Sequence, residues 1–208
     1  MNFMETLTQR VEASVWSNAL LYADYRKLIN TLLHIGKITS GEATEHMLHY
    51  TKLNVQRMNR IEKTFVPESR TLDVFQSIGK PLKWLVISEG WCGDAAQTLP
   101  VILKLVSLNT RIELRIVLRD QHLDLMDQHL TNGTRSIPKL LILDEHNFVL
   151  ETWGPRPLEA KNMVLDFKAK GLPHDEWVEK IHAWYAKDKG KSAEREIVSI
   201  IENLFSLS

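Results

Sequence analysis

The chain has 208 residues, room for one generous domain or one domain with a substantial extension. Its 26 basic and 26 acidic side chains balance, so no global field draws in nucleic acid or an anionic membrane, and no apolar run approaches the roughly 20 residues that span a bilayer. The single cysteine, Cys92, excludes an intrachain disulfide, and the stretch Met1-Asn2-Phe3-Met4-Glu5 lacks the basic and apolar regions of a secretory signal, so a reducing cytoplasm is expected.

The first third reads as helix. Phe3, Leu7, Val11 and Val15 recur at helical spacing, and Leu21, Tyr25, Leu28, Ile29 and Leu32 continue an apolar stripe up to Gly36 and Thr39-Ser40-Gly41. A second helix is expected from Glu42 to Lys63, with Met47, Leu53, Val55, Met58 and Ile61 facing a core, ended by Val66-Pro67-Glu68-Ser69. A short helix over Thr71 to Ile78 precedes Gly79-Lys80-Pro81.

The texture changes at Leu82. Leu82 to Ser88 is an apolar run suited to a strand buried on both faces, and Ala95 to Leu108 is a helix containing Pro100. A strand over Arg111 to Leu118 and a short helix over Leu123 to Leu130 follow, the latter closed by Asn132-Gly133. Lys139 to Leu143 and Phe148 to Trp153 are strands joined by only Asp144-Glu145-His146-Asn147, for which an antiparallel hairpin is the natural reading. Helix resumes at Leu158. The tail carries helical spacing at Trp177, Ile181, Trp184 and Tyr185, then at Ile197, Ile200, Ile201 and Leu204.

Cys92 lies between a buried strand and a helix, where backbone N–H groups favour a thiolate, while the carboxylate of Asp94 opposes one. Gly93 lets the loop turn tightly around the sulfur, and Trp91 can shield one side of it. The alternative reading is a small buried apolar cysteine that serves only packing.

Trp91-Cys92-Gly93 resembles the thioredoxin signature Trp-Cys-Gly-Pro-Cys. Pro100 falls where thioredoxins kink the active-site helix. The run from Gly133 to Ile142 resembles the segment holding their cis-proline, and Trp153-Gly154 matches a groove glycine. The layout is similar to bacterial thioredoxin family proteins with a Trp-Cys-Gly-Asp-Ala loop. This resemblance implies an α/β thioredoxin-like fold, a four-stranded mixed sheet flanked by helices. Residues 1–68 would form an N-terminal helical extension, 69–171 the thioredoxin-like domain and 172–208 a C-terminal helical tail. It implies Cys92 as the catalytic thiol and a substrate groove of Trp91, Gly93, Asp94, Ile137, Pro138 and Gly154. A cis Ile137–Pro138 bond would bring the Ile137 backbone beside the cysteine, ready to pair with an extended substrate.

Two departures limit what the resemblance implies. Ala95 stands where the resolving cysteine belongs, and Val86 where thioredoxins carry a buried aspartate. Cys92 can therefore open a disulfide but needs an external thiol, such as glutathione, to release the product. Three functions compete: a monothiol redox protein acting on a protein disulfide or a low-molecular-weight thiol, a redox-inactive binding module taking a protein partner at the cis-proline groove, and a sensor joined through Cys92 as a disulfide dimer. No metal or other cofactor is expected, since Glu42, His46 and His49 share a helix face without a fourth ligand. Lys139 and Arg135 read as solvated surface charges.

Overall fold

The computed structural model describes residues 9–206, so Phe3 and Leu7 of the first stripe lie outside it. The chain runs through α1 (Ala13–Asn18), α2 (Tyr22–His34), α3 (Glu45–Thr64), α4 (Ser69–Gln76), β1 (Leu82–Ser88) and α5 (Gly93–Val106). It continues through β2 (Ile112–Leu118), α6 (Leu123–Asp127), β3 (Lys139–Leu143), β4 (Val149–Trp153), α7 (Leu158–Ala169), α8 (His174–Asp188) and α9 (Lys191–Ser206). The strands form one sheet in the order β2-β1-β3-β4. β1 is parallel to β2 and antiparallel to β3, and β3 and β4 form the expected hairpin. This is the four-stranded mixed sheet of a thioredoxin-like fold.

Strand periodicity sends alternate side chains to two cores. Trp84, Val86, Ile116, Leu140 and Ile142 face a large core built with Leu99 and Ile102 of α5, Met58 and Ile61 of α3, Tyr25 of α2, Phe75 of α4 and Ile197 of α9. Leu85, Ile87, Val117, Leu141 and Leu143 face the other side, covered by Val11, Trp16 and the α6 residues Leu125 and Met126. The N-terminal and C-terminal helices thus share one core with the sheet. Two carboxylates of α9 fasten the arrangement. Glu194 accepts hydrogen bonds from the Glu68 N–H (2.6 Å) and Thr71 Oγ1 (2.7 Å) at the start of α4, and Glu196 from Trp153 Nε1 (2.8 Å) and the Leu158 N–H (2.7 Å) at the start of α7.

The N-terminus departs from the helical reading. Among the described residues before α2, Ala13–Asn18 is the one helix, and residues on either side of it pair with the sheet. The Val149 N–H donates to the Gln9 carbonyl (2.9 Å) and the Val11 N–H to that of Asn147 (3.0 Å), while Leu20 and Ile116 exchange two bonds of 2.8 Å. The segment crosses one face of the sheet and satisfies backbone on both outer strands, which are otherwise open to non-specific pairing. Val11 and Trp16 pack on that face instead of continuing one long helix.

Candidate functional site

Cys92 is the N-cap of α5. Its Sγ accepts the Ala95 N–H at 3.5 Å and donates to the Ile137 carbonyl at 3.2 Å. The Ile137–Pro138 bond is cis. The residue is only 7% exposed, and burial first, then the Asp94 carboxylate, push its thiol up to about 12. The Ala95 and Asp94 N–H groups and the Arg156 charge pull the other way and lose. At rest Cys92 is therefore a protonated thiol.

Asp94 is not simply a charge at a helix start. Arg156, from the loop between β4 and α7, grips its Oδ2 with two N–H groups, and the Tyr185 hydroxyl of α8 donates to Oδ1 at 2.8 Å. The Asp94 and Arg156 side chains are 12% and 20% exposed, so water screens the pair only weakly. Through Tyr185 the loop holds α8 across its own front.

Gly93 has a different reason from the tight turn its sequence suggests. A Cβ at this position would meet Nε2 of His182 at 2.8 Å, so the absence of a side chain lets α8 approach. His182 is oriented by a short relay. Arg60 donates to Gln97 Oε1 at 3.1 Å, which leaves the Gln97 amide to donate to His182 Nδ1 at the same distance. The imidazole is thus neutral with its proton on Nε2. Burial and the charges of Arg57, Arg60 and Arg156 lower its pKa to about 3.

The other side of the loop rests on the N-terminal extension. Thr39 donates to the buried Glu89 carboxylate and accepts the Gly90 N–H at 3.0 Å, Ser40 Oγ accepts from Trp91 Nε1 at 3.1 Å, and Asn54 donates to the Gly90 carbonyl at 3.2 Å. The Arg119 guanidinium lies 4.9 Å from the centre of the Trp91 ring.

These elements border a cavity of about 610 Å³ that Cys92 helps to line. Trp91, Gly93, Asp94 and Ile137 line it with the cysteine, as do Tyr50 of α3 and Trp177, Ile181 and His182 of α8. Pro138 and Gly154, expected in the groove, are not among the residues that line this cavity. Gly154 has φ +113°, and a Cβ there would fall on the Pro138 carbonyl oxygen, so only glycine fits. Two readings of charged residues need correction or refinement. Lys139 is 7% exposed rather than solvated, because it starts the central strand β3, and burial lowers its pKa. Arg135 is exposed and forks onto Asp127 at 2.6 and 2.8 Å, yet it also reaches the cavity rim. Among the described residues no group of three His, Cys, Asp or Glu side chains is placed to hold a metal; His46 instead leans on the Tyr50 ring at 4.6 Å.

Sequence reasoning missed Arg156, Gln97 and His182, and it assigned Tyr185 only to helix packing. Their roles depend on contacts across long sequence separations, and no local motif marks them. Trp177 and Tyr185 carried a weak signal, as aromatic residues in a helix with few apolar neighbours.

Residues 40–171 match a family model described as Thioredoxin, a range that takes in α3 as well as the sheet. Among solved structures, the chain is similar to a protein of unknown function from Pseudomonas aeruginosa. The TM-score is 0.61 at 21% identity, covering 94% of this chain and 99% of that one. It is also similar to an HIV epitope-scaffold, with TM-score 0.54 at 21% identity, covering 88% and 99%. At such identity these two structures speak for the fold alone. A search of curated proteins gave no match. No helix among the described residues is long and apolar enough to cross a membrane.

Proposed function

The chain belongs to the thioredoxin family, and from that premise we propose that it is a single-thiol member working on a small ligand inside a cavity, rather than on an exposed protein disulfide. The observation that carries this reading is the cavity that Cys92 lines together with residues of α3 and α8. A cavity of about 610 Å³ is sized for a small molecule. The Ile137 carbonyl, which a protein strand would seek, is already engaged by Sγ.

The chemistry is one-thiol exchange. The Cys92 thiolate attacks one sulfur of a small disulfide, forming a mixed disulfide and expelling the other half as thiolate. With alanine at position 95, an external thiolate such as that of glutathione then attacks the mixed bond, restoring Cys92 and carrying the ligand half away as a new disulfide. Electrons and protons balance, because the external thiol supplies both. With a thiol near 12, only about one molecule in 10⁵ is ionised at neutral pH, so the step is slow there and quickens with pH.

The second reading, binding without redox turnover, is favoured by that same protonation and by the Sγ–H bond to Ile137. Intact-mass measurement after incubation with oxidised glutathione at pH 7 to 10, with Cys92→Ser as control, separates the two. A Cys92-dependent adduct whose rate climbs about tenfold per pH unit supports exchange. No adduct even at pH 10 leaves the binding reading. A disulfide-linked dimer formed without glutathione would instead favour a sensor.

A further inference from the structure

Glu89 is fully buried at the head of the active-site loop, where its carbonyl accepts the Cys92 N–H at 3.1 Å. Donors meet its side chain on both oxygens. Thr39 Oγ1 donates to Oε2, and the Asp120 N–H donates to Oε1 at 3.1 Å. Thr39 Oγ1 also accepts the Gly90 N–H at 3.0 Å, which leaves its own proton for the acid. Among the described residues no cation pairs with Glu89; Arg119, one position before the Asp120 donor, is held by the Asp120 carboxylate at 2.7 Å. Burial raises the Glu89 pKa, and the hydrogen bonds from Thr39, Asp120 and Ser40 only partly offset it. A buried carboxyl without a counter-charge costs stability, so an anchor for the fold alone would not call for one.

Both arms of this carboxyl lead to Trp91. The Thr39 arm carries Ser40, whose Oγ accepts the Trp91 Nε1–H at 3.1 Å. The Asp120 arm carries Arg119, whose guanidinium lies 4.9 Å from the centre of the Trp91 ring. Trp91 and Arg119 line the cavity together with Cys92. We propose that Glu89 is the positioning residue for this wall: its side chain draws the Thr39–Ser40 segment to the edge of the Trp91 indole and the Arg119–Gln121 turn to its face, and so sets the shape of the cavity that a ligand meets. This assignment rests on the small-ligand reading of the cavity and adds a specificity-determining residue to it. An amide cannot take over the role. Thr39 and Asp120 approach different oxygens, so Glu89→Gln must turn its own N–H toward one of these donors.

The test reads Trp91 directly. The full chain labelled with 5-fluorotryptophan carries six fluorine reporters, one per tryptophan, and Trp91→Phe identifies the NMR signal of Trp91. In Glu89→Gln the Trp91 signal is expected to shift or broaden while the other five stay. The affinity of unlabelled protein for the uncharged fluorescent probe N-phenyl-1-naphthylamine should fall at least about fivefold in the same variant. Thr39→Val cuts one arm while leaving the acid in place, and it should move the same signal even where Glu89→Gln fails to fold. A Trp91 signal unmoved in both variants overturns the assignment, as does displacement of all six signals in both, which marks an anchor of the whole fold. Unchanged probe affinity in a Glu89→Gln protein whose Trp91 signal has moved also overturns it, because that wall would not govern binding. A wild type that does not bind the probe overturns the cavity reading instead, and the fluorine signals still decide whether Glu89 positions Trp91.

Discussion

His182 Nε2 stands 2.8 Å from the point where a side chain on Gly93 would begin, so α8 and the active-site loop exclude anything larger than glycine between them. Gly93→Ala is expected to destabilise the protein by about 1–3 kcal/mol through overpacking. In a His182→Ala background the same change should cost little, because the obstructing ring is gone. Urea denaturation of the double-mutant cycle checks this, and additive effects would show that the two residues are not in contact.

Asp94→Asn should change stability and reactivity in opposite senses. It leaves the largely buried Arg156 without its counter-charge, for a loss of about 2–4 kcal/mol. It also removes a charge that raises the Cys92 thiol and frees one that lowers it. Alkylation of Cys92 by iodoacetamide at pH 8 is therefore expected to be faster in the variant than in the wild type, while the urea midpoint falls. Slower alkylation would contradict the electrostatic account of the thiol.

Acid should weaken the fold through its buried histidines. Burial lowers the pKa of His182 to about 3 and of His129 to about 4, against an ordinary value of 6.5. The unfolded chain then binds more protons than the folded one between those limits, so stability rises with pH there. The contribution is full above pH 6.5 and is lost progressively on acidification toward pH 3 to 4. Glu89, whose pKa burial raises, acts in the opposite sense. Comparing urea midpoints at pH 7 and pH 5 isolates the histidine part: the drop should be smaller in His182→Gln than in the wild type.

Gly154→Ala should be more damaging than Gly93→Ala. The new Cβ meets the Pro138 backbone rather than a movable ring, and the residue sits at φ +113°. A loss of about 3–5 kcal/mol is expected, measured by thermal or urea unfolding.

Much of the sheet was legible in the sequence. β1 carries a continuous apolar run because both its faces are covered, and the four residues between β3 and β4 permit little but a hairpin. Cys92 was legible as a candidate from its place at a strand-to-helix junction, whereas Ile137-Pro138 entered through the resemblance of its segment to that of thioredoxins. Three matters were not. The pKa of Cys92 depends on burial, which only the packed structure supplies. The N-terminal stripe has helical spacing, yet Gln9, Val11 and Leu20 give their backbone to the sheet, a choice made by open strands far away in sequence. The closure of the groove rests on Asp94–Tyr185, Gly93–His182 and Gln97–His182, pairs more than eighty residues apart in sequence. Gly93 read as a residue for a tight turn, and nothing local showed that a histidine would stand against it.

Access to Cys92 through the cavity is tested most directly by comparing disulfide reagents of different size. The native protein at pH 9 would be treated with oxidised glutathione and, separately, with a 5 kDa polyethylene glycol pyridyl disulfide, following intact mass, with Cys92→Ser as control and urea-unfolded protein as the reference for an open thiol. Relative to that reference, the polymer should be slowed at least about 100-fold more than glutathione, because α8 and α3 admit only the small reagent. Equal slowing of both reagents would mean that the groove stands open and that the cavity does not govern access to Cys92.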